Sequence, residues 1–311
     1  MRVLVTGSTG QDGLYIANKY HADGHKVLGI VSSLNSNKKF EFKTISTNLS
    51  NCKLANDILQ SFKPDLIYHL AAVHFSSTQL NTSETLNYNQ MYSCHVDITQ
   101  NFLNWQRDNL HCKLLVALSS QMYPTNKSGE RVFENSIIDP QNYYASTKAM
   151  AFEKLKQYRN FYGTHSVGAI LFNHTSIRSK NEFLFPQLAK KILNLIERKA
   201  NEIVLRDPDT QIDITHADEI CIGLIKQMNH ENPEDFVFSR GSAIRIKNLI
   251  FNVLKSLNYQ NDVDVVKENI SEIGTPTAIG NPEKAFSLLS WKAEKSPEEI
   301  LQELITKMKS Y

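Results

Sequence analysis

Residues 2 to 13 read "RVLVTGSTGQDG". An aliphatic run ends on Gly7, and Gly10 and Gly13 follow before a segment in which Leu14, Ile16 and Ala17 share one helical face. The pattern predicts a strand buried on both faces, a glycine turn and a helix. Glycines at such a turn let the backbone reverse tightly and approach a pyrophosphate, whose charge faces the helix N-terminus. Turns also collect glycine for steric reasons alone, so the flanking strand and helix carry the reading. The residues expected around a dinucleotide here are Gly7, Thr9, Gly10, Gln11, Asp12 and Gly13.

Outward from this turn the same alternation continues. "HKVLGIVSS" (25 to 33), "KPDLIYHLAAV" (63 to 73), "HCKLLVALSS" (111 to 120) and "HSVGAILFN" (165 to 173) read as strands, with helices over 51 to 62, 84 to 109 and 143 to 162. Strands alternating with helices imply parallel crossovers, hence an α/β fold with a doubly wound parallel sheet. Beyond residue 173 the alternation weakens. Amphipathic helices are expected in 183 to 200, 244 to 258 and 296 to 310, the last opening on Ser-Pro-Glu-Glu with an N-cap and a first-turn Pro. We therefore expect a dinucleotide-binding domain of residues 1 to 173 with a return near 210 to 240, and a smaller, mixed substrate domain from about 174 to 209 and 241 to 311.

Composition narrows the function classes. The chain has 311 residues, 41% hydrophobic and 21% charged, enough for a large core. No apolar run approaches the ~18 residues of a membrane helix, and the opening residues do not read as a signal peptide, so the expectation is a cytoplasmic protein without a membrane role. Cys52, Cys94, Cys112 and Cys221 lie far apart, which fits a reducing compartment. A net charge of +2 without a basic stripe gives no indication of nucleic acid. His174 and His216 lack acidic or Cys partners at ligand spacing, so no metal is expected.

The chemistry-bearing residues lie past the fourth of these strands. Tyr144 and Lys148 in "YYASTK" are one helical turn apart. A lysine ammonium beside a phenol stabilises the phenolate and lowers its pKa toward a useful acid/base value. Ser119 ends the preceding strand, where open α/β sheets place ligands, and its hydroxyl completes a Ser, Tyr, Lys set. A lone Y-x-x-x-K recurs by chance in helices; the glycine turn and the serine-bearing strand are what distinguish this one. At the end of the second strand, residues 31 to 33 hold no acid for the ribose hydroxyls of NAD. Ser32, Ser33, Lys38 and Lys39 there favour NADP, with NAD the alternative if the lysines are only a solvated loop.

"TGSTGQDG", "LSSQMYP" (118 to 124), "YYASTK" and "ILFNHTSIRS" (170 to 179) together resemble the extended short-chain dehydrogenase/reductase family, and within it the GDP-mannose 4,6-dehydratases. The likeness continues through 233 to 250 and 279 to 300. It implies a Rossmann-type fold, a homodimer and a nucleotide-sugar substrate, GDP-linked. It further implies an NADP or NAD cofactor contacted by the glycine turn, Ser32, Asn48, Leu49, Leu70, Ala71, Ala72, Tyr144, Lys148 and Leu171. Ser119, Tyr144 and Lys148 take the catalytic positions, with hydride transfer at sugar C4. His74, Ser120, Asn173 and Arg178 fall at substrate positions, His74 being alternatively a plain loop residue. In the family, helices corresponding to 84 to 109 and 143 to 162 form a dimer contact; here Tyr92, Phe102, Phe152 and Tyr158 are either that contact or core.

One departure changes the expected reaction. In the dehydratases the position of Gln121 carries a Glu, which removes the C5 proton so that water leaves from C6. A carboxamide accepts no proton at neutral pH, so a 4-keto reductase, C4 dehydrogenase or epimerase is favoured over a dehydratase. The alternative is a dehydratase whose base has moved to Glu130 or Glu134; a third reading is a nucleotide-binding regulator without catalysis. The family's Arg-Asp pair appears as Ile212-Asp213, and a second arginine after "FNH" is replaced by Ser179, leaving Arg178, Arg206 and Arg240 as candidate cations for the diphosphate.

Overall fold

The computed structural model describes residues 1–33, 39–73, 84–124, 131–268 and 278–309, with the side chains of residues 84–87 excepted. The opening strand β1 (Arg2–Thr6) runs through the glycine turn into α1 (Gln11–Ala22), followed by β2 (Lys26–Val31), β3 (Lys43–Ser46), α2 (Cys52–Phe62) and β4 (Leu66–His69). Next come α3 (Glu84–Tyr92), a π-helical turn (Ser93–Asp97), α4 (Ile98–Arg107), β5 (Lys113–Ser119), β6 (Arg131–Val132), α5 (Tyr143–Tyr162), β7 (Ser166–Leu171) and β8 (Asn173–Thr175). The rest comprises α6 (Leu184–Ile196), β9 (Glu202–Leu205), β10 (Gln211–Ile212), β11 (Ile214–His216), α7 (Ala217–Asn229), β12 (Phe236–Phe238), β13 (Ile244–Arg245), α8 (Ile246–Ser256), β14 (Asp264–Lys267), β15 (Ile279–Gly280), α9 (Glu283–Leu289) and α10 (Pro297–Lys309).

Seven strands form one parallel sheet in the order β12-β7-β5-β4-β1-β2-β3. Strand order reverses between β1 and β4, which places a crevice at their carboxyl ends. Side chains alternate between the two faces, as the pleat requires. Leu4, Ile67, Leu114, Val116 and Leu118 pack with Phe102, Leu103, Phe152 and Leu155 of α4 and α5. Val3, Val5, Leu115 and Ala117 pack with Ile16 and Ala17 of α1 and with Ile220 and Leu224 of α7 on the other side. Each such fully buried aliphatic side chain contributes roughly 1.5–3 kcal/mol, so this two-layer burial is what holds the sheet. A third cluster, from α6, α8, α10, β9 and β10, lies apart from the sheet.

Departures from the sequence reading include two elements of the sheet domain. The run 84 to 109 is not one α-helix, because Ser93–Asp97 widens into a π turn. β3 was not legible, having only four residues, none fully buried, at a sheet edge that asks little of side chains. At the opposite edge β12 is anchored by a half-buried fork: Arg159 donates from both terminal nitrogens to Asp235 at 3.0 and 2.6 Å, and Asp235 also accepts from the Gly168 N–H. The N-terminus of α10 is a reciprocal capping box, with the Glu299 N–H donating to the Ser296 hydroxyl and the Ser296 N–H to the Glu299 carboxylate. Phe102 and Phe152 are fully buried and belong to the core, whereas Tyr92 and Tyr158 are only partly covered.

Candidate active site

The carboxyl ends of β1 and β4 are pressed together by glycine. Gly7 adopts φ +67°, and a Cβ there would meet the Ala71 backbone at 3.0 Å. Gly13 lets the first turn of α1 sit on the loop, since a Cβ would come 2.2 Å from the Gly7 carbonyl oxygen. Gly10 is the N-cap residue of α1 and brings no capping side chain, so the first N–H groups of the helix keep their donor capacity. A narrow glycine cradle ending on an uncapped helix N-terminus fits a dinucleotide pyrophosphate. Thr9 and Gly10 are exposed on it, and Leu70 and Ala72 follow β4 beside it.

Behind the cradle a chain of buried hydrogen bonds ties β1, β4 and the π turn together. The Ala71 N–H donates to the Thr6 hydroxyl, which leaves the hydroxyl proton for His69 Nδ1 at 2.8 Å. His69 Nε2 then donates to the Cys94 carbonyl at 3.0 Å. Burial, reinforced by the Lys148 charge, pushes the His69 pKa down to about 3, so the ring is neutral. A second chain runs through His95. Thr147 donates to the Tyr144 carbonyl and accepts from His95 Nδ1, leaving His95 Nε2 to accept from the Val73 N–H. The His95 ring stands edge-on to the Tyr144 ring, 5.3 Å between centroids. The π turn thus places Cys94 and His95 against the two strands and the helix that border the site.

Ser119, Tyr144 and Lys148 converge. Ser119 lies beside Leu171 in the β5–β7 register, and its hydroxyl accepts from the Gln121 N–H at 3.2 Å and is hydrogen-bonded to Tyr144. Lys148 is buried and donates to the Ala117 carbonyl at 2.7 Å, with its nitrogen 5.8 Å from the Tyr144 ring centroid. Burial brings the Lys148 pKa down to about 8. The expected lowering of the Tyr144 pKa is not what the chain produces: burial pushes this phenol up to about 12, and the Ser119 hydrogen bond offsets it only in part. The ammonium is spent on a backbone carbonyl rather than on the phenol oxygen, and desolvation therefore wins.

Gln121 lies in the short turn Ser120–Met122 that follows β5. Its Oε1 accepts from Asn142 Nδ2 at 3.3 Å, while Asn142 Oδ1 caps α5 by accepting from the Ala145 N–H at 2.9 Å. Glu134, one of the two alternative bases, is committed elsewhere, its carboxylate accepting from the Val237 N–H of edge strand β12 at 2.8 Å. Glu130, His74 and Lys38 lie outside the described residues.

Gln11 and Asp12 do not point outward from the cradle but stitch it to the chain after β7. Gln11 Oε1 accepts from the Ser176 and Ser179 hydroxyls, and Arg178 donates to Asp218 and to the Gln11 carbonyl. His174 donates from Nδ1 to the Phe172 carbonyl at 2.8 Å and from Nε2 to Asp12 at 2.9 Å. Neither partner has a proton to give, so the ring is an imidazolium. Burial alone would lower the His174 pKa, but the Asp12 carboxylate outweighs it and holds the pKa at about 8. Asp12 is correspondingly held below the usual Asp value against its own burial. A His raised in the folded state contributes stability fully below its unfolded value near 6.5, and that contribution is lost as pH rises through about 8. Urea midpoints should therefore fall between pH 6 and 9, and His174→Gln should flatten that fall; an unchanged slope would mean the pair carries no charge.

Other candidate residues sit further out. Asn173 is exposed at the start of β8, and Ser32 is exposed after β2 with its carbonyl accepting from Ser46. Asn48 turns its side-chain oxygen onto Ser50, and Leu49 is buried in the core with its carbonyl accepting from Asn101 Nδ2. Arg240 donates to the Lys295 carbonyl. Among the described residues no cluster of His, Cys, Asp and Glu is arranged to hold a metal, and no helix is long and apolar enough to cross a membrane. Sequence reasoning missed Thr6, His95 and Thr147, whose bonds cross 52 or more positions or depend on the π turn; Asn142 was findable as an N-cap three residues before Ala145.

A family model described as GDP-mannose 4,6 dehydratase matches residues 4–304. The chain is 25% identical to GDP-mannose 4,6 dehydratase 2 of Caenorhabditis elegans, over 97% of this chain and 87% of that one. In three dimensions it is similar to dTDP-glucose 4,6-dehydratase from Bacillus anthracis in complex with NAD, with a TM-score of 0.82 and 17% identity over 100% of this chain and 97% of that one. It is also similar to RMD from Pseudomonas aeruginosa complexed with NADPH, with a TM-score of 0.77 and 18% identity over 100% and 99% of the two chains.

Proposed function

Because the chain belongs to the GDP-mannose 4,6-dehydratase family, we propose that it is a nucleotide-sugar oxidoreductase acting at sugar C4, and that it works as a 4-keto reductase on a GDP-linked hexose rather than as a dehydratase. The observation that carries this is Gln121, a carboxamide engaged by Asn142 at the mouth of the site where the family resemblance calls for a carboxylate. Without a base there, abstraction of the C5 proton is slowed by roughly 10²–10⁴-fold. Of the two alternative bases, Glu134 accepts from the Val237 N–H, and Glu130 lies outside the described residues.

The glycine cradle, the α1 N-terminus and Lys148 would hold the nicotinamide dinucleotide, which when bound supplies the hydride. The absence of an acid at the end of β2 supports NADPH over NADH. Tyr144, a phenol at neutral pH through burial, donates the proton that the reduced C4 oxygen requires. Ser119, its hydroxyl shared with Tyr144, orients that oxygen. Lys148 keeps positive charge close to the ring and so favours the phenolate left after the transfer. Asn173 and Ser120 would face the sugar diphosphate, and pairing through α3–α4 and α5 would give a homodimer with the partly exposed Tyr92, Tyr158 and Met150 at the contact.

The test is two incubations of the purified protein. GDP-4-keto-6-deoxy sugar with NADPH should consume reduced cofactor stoichiometrically and yield a product heavier by two hydrogens. GDP-mannose with NADP should show no loss of water; a dehydrated product would overturn the reductase reading.

A further inference from the structure

We propose that Asn142 is a positioning residue that turns Gln121 into a hydrogen-bond donor toward an acceptor oxygen of the bound sugar. The inference rests on reading this cleft as a nucleotide-sugar site and goes beyond it, since it assigns position 121 a binding role in place of a lost base.

The orientation of both carboxamides follows from one backbone bond. The Ala145 N–H can only donate, so the Asn142 atom facing it, at 2.9 Å, is Oδ1. Asn142 is thereby left with Nδ2 toward position 121, and whatever faces it at 3.3 Å must accept. Gln121 meets that demand with Oε1, and its Nε2 has no hydrogen-bond partner among the described residues. The backbone N–H of Gln121 donates to the Ser119 hydroxyl, which is shared with Tyr144, so the backbone at 121 is held beside the reacting pair and Asn142 is what orients the exposed side-chain amide. Two N–H bonds offered beside a carbonyl carbon undergoing reduction suit an oxygen on a neighbouring sugar carbon. A carboxylate at 121 would also satisfy Asn142 but would offer that sugar oxygen only repulsion or a base. Asn142 therefore stabilises a donor at 121 only while that residue is an amide.

Asn142→Asp separates this from a structural role, because Asp is as good an N-cap as Asn and keeps the bond to Ala145. The new carboxylate can only accept, so the Gln121 amide must turn, bonding through Nε2 and facing the sugar with Oε1. Calorimetric titration with GDP-mannose and with the GDP-4-keto-6-deoxy sugar should show Kd raised roughly 5- to 10-fold, the size of one lost hydrogen bond, with the melting temperature and NADPH affinity unchanged. In a Gln121→Met background the same change should have no further effect, whereas simple charge repulsion from the introduced carboxylate would persist there. The Gln121 side-chain amide protons, assigned in ¹⁵N spectra by their loss in Gln121→Met, should exchange more slowly in Asn142→Asp. Unchanged Kd in Asn142→Asp, or an equal loss in both backgrounds, overturns the proposal. A wild-type protein that binds neither GDP sugar would instead sink the nucleotide-sugar reading, while the amide exchange still decides whether Asn142 sets the orientation.

Discussion

Tyr144→Phe is expected to lower turnover of the 4-keto sugar with NADPH by about 10²–10⁴-fold while leaving the Kd of both ligands within a few-fold. The substitution removes one oxygen and its proton from a half-buried ring that is otherwise held by the edge of His95, so the pocket keeps its shape. What is lost is the acid. Burial holds this phenol protonated far above neutral pH, Ser119 is a poorer acid, and the Lys148 ammonium is turned to the Ala117 carbonyl. Single-turnover measurements of hydride transfer would isolate the chemical step. A loss smaller than about tenfold would mean that solvent, reaching the sugar oxygen along the Ser119 hydroxyl, delivers the proton.

The largest effect on stability is expected at Asp213. This fully buried carboxylate accepts from three backbone N–H groups, Arg240 at 2.9 Å and Gly241 and Gly280 at 3.2 Å each. It therefore joins the chain between β10 and β11 to the loops after β12 and at β15. Asp213→Ala leaves three buried donors without an acceptor, each worth roughly 1–3 kcal/mol, against which the relief of a buried charge is only a partial offset. A loss of about 3–5 kcal/mol in denaturant unfolding is expected. The same group gives a pH signature. Burial raises the Asp213 pKa to about 6 despite its hydrogen bonds, so the folded state binds a proton that the unfolded chain releases near 3.8. The contribution is fully present below the unfolded value and is lost as pH rises through about 6, a component that Asp213→Ala should abolish. A variant as stable as the wild type would show that water satisfies the three donors.

The doubly wound sheet was legible because its evidence is local. A strand buried on both faces must be apolar throughout, a phosphate turn must be glycine, and a helix must repeat its apolar residues every third or fourth position. The family resemblance was legible in the same way, as short motifs whose spacing survives within one turn or one strand. So were the Ser119, Tyr144 and Lys148 positions, which lie at the end of a strand and one turn apart on a helix. The sequence could also show that an amide stands at 121.

What it could not show is what these residues touch. Gln11 and Asp12 read as part of the cradle surface, but the chain after β7 returns across more than 160 positions to cover them with His174, Ser176 and Ser179. The π turn at Ser93–Asp97 carries no sequence mark of its own, and without it Cys94 and His95 would not meet His69 and Thr147. Arg178 reads as a free cation for a diphosphate until Asp218 is brought beside it. The Tyr144 pKa shows the difference most plainly: residue identity puts a lysine one turn away and predicts a lowered value, whereas the fold sends that ammonium to a carbonyl and desolvates the phenol. Composition and spacing determine which elements form, because those forces act between near neighbours. Desolvation and hydrogen-bond partnership act between residues that only the packed chain brings together, and they decided the charge and orientation of the groups in the site.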